Sequence, residues 1–234
     1  MIDRGAFSYV GQELDLFAHA VHWKAYWASR IREWIRGDVL EVGAGLGVNT
    51  IALRNSDVTS WLCLEPDSEL AERLAKAVTA IPNCRVRVGT MASLAERTFD
   101  SILYIDVLEH IKDDAEEMAR AAKLLRSGGH LVVLAPAHQF LYSSFDAAIG
   151  HHRRYNKASL QRCSPPGCRT EAMFYLDSLG VFASLANRMV LRQNKPSLRQ
   201  IEIWDNFIVP TSRLLDQVFG GAIGKTIVGA WKRG

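Results

Sequence analysis

Two glutamates and a glycine-rich loop, distributed over two apolar runs, are the residues of this sequence best suited to holding a ligand. The loop GAGLG, residues 43–47, follows an apolar run typical of a buried strand and precedes residues typical of a helix. Because glycine backbone turns freely, such a loop presents bare amides to a ligand. Glu41 lies at the end of the first run and Glu65 at the end of the next, and parallel strands end at the same edge of a sheet. We therefore expect both carboxylates beside the loop.

The glycine spacing and the two charges restrict the ligand. The dinucleotide fingerprint, G-x-G-x-x-G, would need a glycine where Val48 stands. Glu41 would repel a pyrophosphate but attract a cationic group. Glu65 is placed to accept hydrogen bonds from ribose hydroxyls. The pattern favours a ligand that carries a positive charge and a ribose over a dinucleotide.

A third carboxylate reaches the same edge from a later strand. Residues 99–105 have the apolar content of a buried parallel strand, which delivers Asp106 to the edge where ligands of open α/β sheets bind. Asp106 is therefore a candidate for contact with a ligand or a substrate. Glu109 and His110 stand where a helix begins, so a capping or supporting role fits them at least as well as chemistry.

Four motifs together resemble those of the class I S-adenosylmethionine-dependent methyltransferases: VLEVGAGLG, LCLEPD, FDSILYIDVLEHI and LLRSGGHLVVLAPAH. They lie within residues 36–160, and a GH-x-RRY feature is similar to one in a bacterial small-molecule branch of the family. The resemblance implies a doubly wound, Rossmann-like α/β fold with a seven-stranded, mainly parallel sheet, an antiparallel last strand and a helical insertion before that strand. It also implies methyl transfer from S-adenosyl-L-methionine, whose sulfonium and ammonium groups carry positive charge.

The candidate cofactor-binding residues lie at the ends of the first four predicted strands. After the third strand, this sequence lacks an acidic residue that could bind adenine, so Met91 is the candidate for stacking on the ring. The full set is Glu41, Gly43, Ala44, Gly45, Gly47, Asn49, Glu65, Pro66, Thr90, Met91, Asp106 and Val107.

Residues 140–155 cluster His, Arg and Tyr without a clear period, which predicts a functional loop over the strand ends. We expect His151 to act as general base toward a hydroxyl acceptor, because imidazole titrates near neutral pH. An arginine of the pair could bind an anionic group of the substrate or could pair with Asp146, and His138 or Asp106 could serve as the base instead. The candidate substrate-binding residues are His138, Tyr142, His152, Arg153, Arg154 and Tyr155.

The acceptor class follows from a missing motif. Family members that methylate nucleobase or amide nitrogens usually carry Asn-Pro-Pro-aromatic after the fourth strand, where this sequence reads DVLE. A hydroxyl of a small molecule, including one linked to a glycan or a lipid, is therefore the leading acceptor. The alternatives are a catalytically silent S-adenosylmethionine-binding regulator or partner subunit, and a NAD(P)-dependent oxidoreductase. Detection of the demethylated cofactor product would exclude the silent subunit.

Composition sets further limits. The chain has 234 residues and a net charge of +3, which is too small to indicate nucleic acid as a partner. Its four cysteines form no C-x-x-C pair, and the adjacent Asp113 and Asp114 lack further ligands, so we expect reduced thiols and no metal site. No apolar run approaches the ~20 residues that span a bilayer, and we see no leader segment. We therefore expect a cytoplasmic protein, monomeric or homodimeric.

We expect one domain over residues 1–234, with N-terminal helices over 1–36, a cofactor-binding core over 37–160, and a substrate side with the insertion over 161–234. Amphipathic patterns predict insertion helices over 181–191 and 200–219, the second bent or split near Pro210. Packing on the sheet is their favoured role, while a lid, a dimer surface and peripheral contact with a membrane stay open. The other predicted helices are two within 12–35, one over 68–80 and one over 115–126, and Gly128 and Gly129 are expected to end the last of these. The other predicted strands cover 84–88, 99–105, 130–134, 169–175 and 226–231.

Overall fold

The computed structural model of the chain describes residues 13–94, 97–186 and 197–234. Within these ranges, seven strands form one sheet in the order β3-β2-β1-β4-β5-β7-β6. The first five strands are parallel, whereas β7 runs antiparallel to both of its neighbours. This confirms the predicted Rossmann-like sheet with an antiparallel last strand. The strands are β1 (Gly37–Val42), β2 (Val58–Glu65), β3 (Cys84–Val88), β4 (Phe99–Ile105), β5 (Leu125–Pro136), β6 (Cys168–Leu176) and β7 (Thr226–Arg233).

Helices connect the strands and precede the sheet. The two helices predicted before the first strand are confirmed, and a short 3-10 turn joins them to β1. The α-helices of the described residues are α1 (Glu13–Ala18), α2 (Val21–Ile31), α3 (Val48–Leu53), α4 (Ser68–Ala77), α5 (Asp114–Leu124), α6 (Ser144–Ala148), α7 (Lys157–Arg162), α8 (Ser178–Ala186), α9 (Leu198–Ile203) and α10 (Val209–Val218).

The sheet has an apolar core on each face, because successive strand residues point to opposite sides. Val39 and Leu103 belong to the core under the N-terminal helices, whereas their neighbours Leu40 and Ile102 belong to the core under α5. The central strands are therefore apolar on both faces, as expected for a buried parallel sheet. This rigid sheet fixes where each strand ends and so positions the polar residues that follow.

Predicted boundaries around the start of β5 were wrong. The predicted helix over 115–126 ends at Leu124, because Leu125 pairs with Phe99 of β4 and begins β5. Gly128 and Gly129, predicted to end the helix, therefore lie within β5. At the boundary between α5 and β5, the glycines predicted the end of a helix, but pairing of β5 with β4 determines where the helix ends.

The 140–155 segment, predicted as a loop, contains a helix, α6, which begins at a capping box formed by Ser143 and Asp146.

The helical insertion packs against α2. Its second predicted helix is confirmed as α9 and α10 joined by a π-helical turn, Trp204–Ile208, next to Pro210, whose missing amide accounts for the irregularity. The first predicted helix, over 181–191, forms part of α8 up to Ala186. Residues 187–191 of that prediction lie outside the described residues. Phe207, Leu214 and Val218 expose apolar side chains on the outer face. Among the described residues, no helix combines the length and the apolarity that crossing a membrane requires.

A buried carboxylate, Asp216, ties the insertion to the rest of the fold. Its oxygens accept hydrogen bonds from the hydroxyl of Tyr26 (2.8 Å) and from the amides of Asp177 (2.7 Å) and Ser178 (3.0 Å). Asp216 thereby joins α10 to α2 and to the start of α8. Removing it would leave buried donors without acceptors.

We expect Asp216→Ala to lower the free energy of unfolding by about 3 kcal/mol, because each unsatisfied buried donor costs about 1–3 kcal/mol. Urea unfolding of the full chain measures this loss. Glu202→Ala, which removes an exposed carboxylate from neighbouring α9, is the control and should change stability by less than about 0.5 kcal/mol. Equal stability of both variants would show that Asp216 does not hold the insertion in place.

Candidate active site

The glycine loop lies at the carboxyl end of β1 and is held against β2. The amides of Gly43 and Ala44 both donate to the carbonyl of Leu64, at 2.7 and 3.2 Å. Three left-handed glycines, with φ of 65°, 54° and 78° at Gly43, Gly45 and Gly47, let the chain turn back into α3. The predicted strand, glycine loop and helix are therefore confirmed.

The three glycines differ in what surrounds them. A Cβ atom added at Gly43 would lie 2.7 Å from Val107, and one at Gly47 would lie 2.7 Å from Leu74. At Gly45 a Cβ would meet only Leu14 of α1, at 3.7 Å. Gly43 and Gly47 are thus required by packing, whereas a Cβ at Gly45 would make only an ordinary van der Waals contact with Leu14.

Glu65 joins the loop to the end of β2. Its carboxylate accepts hydrogen bonds from the amides of Gly45 (2.8 Å) and Asp67 (3.0 Å). Burial raises the pKa of Glu65, against these two hydrogen bonds, which favour the charged form. The structure thus brings Glu65 to the glycine loop, as predicted, with lone pairs left for further donors.

Glu41 lies below the loop and is 1% exposed. Its Oε2 atom accepts hydrogen bonds from Thr50 (2.5 Å) and from the indole of Trp61 (2.9 Å). Burial raises the pKa of Glu41 to about 7, although both hydrogen bonds oppose the shift. Glu41 therefore holds α3 against β2, and its contact with a cationic ligand stays a prediction.

Asp106 follows β4 and has a left-handed backbone, with φ of 54°. Its side chain is solvent-accessible, yet desolvation by the surrounding protein raises its pKa to about 6. The nearby basic groups of His151, Lys225, Lys24 and Arg154 oppose this shift. Such a conformation is uncommon outside glycine and clusters at functional sites. Asp106 is thus exposed at this edge of the sheet, whereas Glu41 and Glu65 are buried.

Sequence reasoning missed two lysines near Asp106. Lys24 donates to carbonyls at the end of α1, and burial lowers its pKa to about 8. Lys225 lies 3.7 Å from Asp177 and over the ring of Trp204, and burial lowers its pKa as well. The predicted antiparallel last strand could have revealed Lys225, because the start of such a strand lies at the carboxyl edge of its neighbours.

Asp146 organises the 140–155 segment. Its carboxylate contacts Nδ1 of His151 at 3.0 Å and accepts two hydrogen bonds from Arg154, at 2.9 and 3.0 Å. Burial raises the pKa of Asp146, but hydrogen bonds and the charge of Arg154 outweigh burial and hold it at about 2. The sequence left open whether an arginine pairs with Asp146, and the structure shows that Arg154 does.

His151 lies against the turn that follows β4. Its Nε2 atom is 3.8 Å from Oε1 of Glu109, and its ring meets that of His110 edge to face, with centroids 4.5 Å apart. The amide of His152 donates to the carbonyl of Glu109 at 2.8 Å, which holds the segment against this turn. The structure therefore brings together residues that stand far apart in the sequence.

Other substrate-binding candidates have protein partners. Arg153 forms an ion pair with Asp114 at 2.6 Å, and the buried hydroxyl of Tyr155 donates to the same carboxylate at 2.8 Å. The hydroxyl of Tyr142 donates to the carbonyl of His151 at 2.7 Å. His138 stacks on Phe140 and has a φ of 64°. Their roles toward a substrate stay predictions, but Arg153 and Tyr155 lie at the start of α5 rather than in the group around His151.

The remaining cofactor-binding candidates lie in α3 and after β2 and β3. Asn49 is the second residue of α3 and Pro66 follows β2, and both are half-buried. Thr90 is exposed after β3, whereas Met91 is 3% exposed and packs in the core under α5. A stacking role for Met91 would require the adenine to reach the edge of that core.

The family follows from the sequence profile that the chain matches. Residues 20–166 match Methyltransf_23, which is described as a methyltransferase domain. The chain belongs to this family and is an S-adenosylmethionine-dependent methyltransferase, with S-adenosyl-L-methionine as its cofactor. No curated protein sequence matches that of the chain.

Solved structures show the same fold at low identity. A geranyl diphosphate methyltransferase in complex with S-adenosylmethionine has a TM-score of 0.67 and 13% identity, over 98% of this chain and 93% of that one. An S-adenosylmethionine-dependent methyltransferase from Clostridium acetobutylicum has a TM-score of 0.57 and 12% identity, over 91% of both chains. The N-methyltransferase NodS from Bradyrhizobium japonicum has a TM-score of 0.56 and 12% identity, over 93% and 96%. The similarity establishes the fold and leaves the acceptor to be argued from the site.

Proposed function

We propose that the chain transfers a methyl group to a hydroxyl of a small molecule, including one carried on a glycan or a lipid. The observation that carries this proposal is the pair formed by His151 and Asp146, because it places an oriented imidazole beside the strand ends. Two further features support it. The DVLE sequence after β4 lacks the motif typical of nucleobase and amide methylation, and one similar structure is by name a methyltransferase of geranyl diphosphate.

The acidic character of the strand ends suits the cofactor. Glu65 binds the amide of Gly45, and the exposed Asp106 follows β4 on the other side of β1, so a positively charged ligand at this edge would meet two carboxylates. On this proposal Glu65 accepts the ribose hydroxyls, the glycine loop contacts the methionine part, and Asp106 faces the same part or the acceptor. A pyrophosphate would be repelled at the same place.

On this proposal, His151 is the base that accepts the proton of the acceptor hydroxyl. When bound, S-adenosylmethionine supplies a methyl group already activated on a sulfonium, and the sulfur keeps the bonding electron pair when an oxygen attacks that carbon in line. The Nδ1 side of His151 faces Asp146, which fixes the ring and leaves Nε2 to accept the hydroxyl proton. The rest of the site contributes positioning, which holds oxygen and methyl carbon at attack distance.

A screen with labelled methyl donor tests the proposed acceptor class. The full chain is incubated with S-adenosylmethionine carrying a labelled methyl group and with fractions of a cell extract. We expect label in a small-molecule or lipid fraction, in a product whose NMR spectrum shows a methyl ether. Label confined to nucleic acid or protein, or on nitrogen, would contradict the proposal. Transfer by Asp106→Ala at an unchanged rate would remove Asp106 from the site.

The role of Glu65 can be tested by binding alone. If Glu65 accepts both ribose hydroxyls, Glu65→Ala should cost about 1.5–3 kcal/mol of cofactor binding, or about 10- to 150-fold in affinity. Glu65→Gln should lose less, because the amide oxygen still accepts hydrogen bonds. Calorimetry with S-adenosylmethionine measures both, and Glu72→Ala, an exposed carboxylate on α4, is the control. Equal affinity of all four proteins would show that Glu65 only holds the loop.

A further inference from the structure

The turn after β4 and the 140–155 segment bring three potential metal ligands together. Glu109, His110 and His151 each offer one ligand atom, and these atoms all lie within 4.8 Å of one another. Two of them, Nε2 of His151 and Oε1 of Glu109, are 3.8 Å apart. This distance is too long for a hydrogen bond, whereas two ligands of one ion, each about 2.1 Å from it, can be separated by up to about 4 Å. We call these three residues the histidine cluster.

Glu109 is the strongest indication that something positive belongs here. Its side chain is 0% exposed, and neither carboxylate oxygen forms a hydrogen bond with another described residue. Most buried carboxylates are paired or coordinate a metal, because an isolated buried charge is costly. The nearby cations have other partners, since Arg154 binds Asp146 and Lys225 lies beside Asp177. Among the described residues, the basic group that lies within 4 Å of the Glu109 carboxylate is therefore His151, itself a member of the cluster.

His151 is arranged as metal-binding histidines usually are. Metal-ligating histidines commonly donate their second ring nitrogen to a carboxylate, which fixes the tautomer and turns the other nitrogen toward the ion. Nδ1 of His151 meets Asp146 at 3.0 Å, and Asp146 is itself held by Arg154 and by Ser143. This arrangement directs the lone pair of Nε2 toward the carboxylate of Glu109. Two acceptors facing each other repel unless a proton or a cation lies between them.

We propose that Glu109, His110 and His151 bind one divalent cation of the first transition row at the carboxyl edge of the sheet. Two imidazoles and one carboxylate suit Mn²⁺, Fe²⁺, Co²⁺ or Zn²⁺ better than Mg²⁺ or Ca²⁺, which prefer oxygen ligands. Three protein ligands leave positions open for oxygen atoms of a bound molecule. The sequence predicted no metal site, because His151 is far along the chain from the other two ligands and local spacing could not reveal the group.

The consequence for catalysis rests on the proposed function, whereas cation binding does not. An ion at the cluster would bind the acceptor hydroxyl and favour its ionised form, and the proton would leave to solvent. The resulting oxygen would attack the methyl carbon as the carbon–sulfur bond breaks. His151 would then serve as a ligand of the ion rather than accept the proton itself. A vicinal pair of hydroxyls on the acceptor, able to fill two open positions, fits such a site best.

The test is a titration of the full chain, freed of metal by a chelator, with Mn²⁺ followed by electron paramagnetic resonance and with Zn²⁺ followed by calorimetry. We expect one ion per chain and a thermal unfolding midpoint that rises with ion concentration. Glu109→Gln keeps the shape of the side chain without its charge and should weaken binding at least tenfold, as should His110→Ala. His152→Ala, which removes an exposed histidine next to the cluster, should bind as the wild type does.

The outcomes separate the two proposals. Wild-type chain that binds neither ion up to millimolar concentration, or variants that all bind alike, would overturn the cation site. Methyl transfer to a hydroxyl by metal-free chain at the full rate would overturn the catalytic consequence while leaving the proposed function intact. Ion binding that depends on Glu109 and His110, in a chain that methylates only nitrogen, would support the site and overturn the proposed hydroxyl acceptor.

Discussion

Gly45→Val is expected to abolish detectable S-adenosylmethionine binding at concentrations that saturate the wild type. Gly45 lies in the turn of the loop beside Leu14 of α1, where an added Cβ would make only an ordinary contact, and its amide is held by Glu65 at 2.8 Å. A branched side chain there would occupy the volume where the backbone meets the ligand. Calorimetry on the folded variant measures the loss, which we expect to exceed 100-fold in affinity.

The left-handed backbone of Gly45 requires a control, because any side chain at a φ of 54° carries strain of roughly 1–2 kcal/mol. Gly128→Val introduces the same side chain at a φ of 74°, at the opposite edge of the sheet, where an added Cβ meets nothing within 4 Å. We expect Gly128→Val to lose stability but to keep its cofactor affinity. A folded Gly45→Val protein that binds as tightly as this control would place the cofactor elsewhere.

The sequence was sufficient to predict the sheet because each strand carries its own signal. Apolar runs at β1, β2 and β4 are buried on both faces, and the polar residue after each run marks the strand end. Gly128 and Gly129 show where local signals fail. They read as a helix terminator, but pairing of Leu125 with Phe99 extends β5 across them. Pairing between strands depends on the whole sheet and is not visible in a short window.

The sequence was sufficient to predict the site residues that lie at strand ends. It was not sufficient to predict the site residues that meet only through contacts between distant parts of the chain. Glu65 ends β2 and Asp106 directly follows β4, so their common edge followed from topology. The contact between Glu109 and His151 depends on how the 140–155 segment folds back over the turn after β4, and no local period encodes it. Glu109 therefore appeared to be a helix-start residue, although the structure buries it without a hydrogen-bond partner among the described residues.

Replacement of His151 by alanine is expected to lower turnover by roughly 10² or more with cofactor affinity unchanged. The imidazole lies between Asp146 and Glu109, whereas the glycine loop and Glu65 are assigned to the cofactor, so its loss should affect the reacting hydroxyl and not the cofactor. Its neighbour His152 is the matched control, because this exposed side chain was predicted to contact the substrate and its removal should mainly raise the Michaelis constant. Steady-state kinetics with the identified acceptor, together with calorimetry for the cofactor, distinguish the two effects.

The same His151→Ala protein also decides how His151 acts. As a general base, His151 would be needed for turnover but not for ion binding, so the variant would keep the Mn²⁺ affinity of the wild type. As a ligand of the cluster, His151 would be needed for both, and the loss of turnover would be accompanied by at least a tenfold loss of Mn²⁺ affinity, as in Glu109→Gln. The second result would support the cation site, because Nε2 faces a buried carboxylate whose oxygens have no hydrogen-bond partner among the described residues. Full turnover by His151→Ala would refute both roles and leave positioning of the acceptor as the source of catalysis.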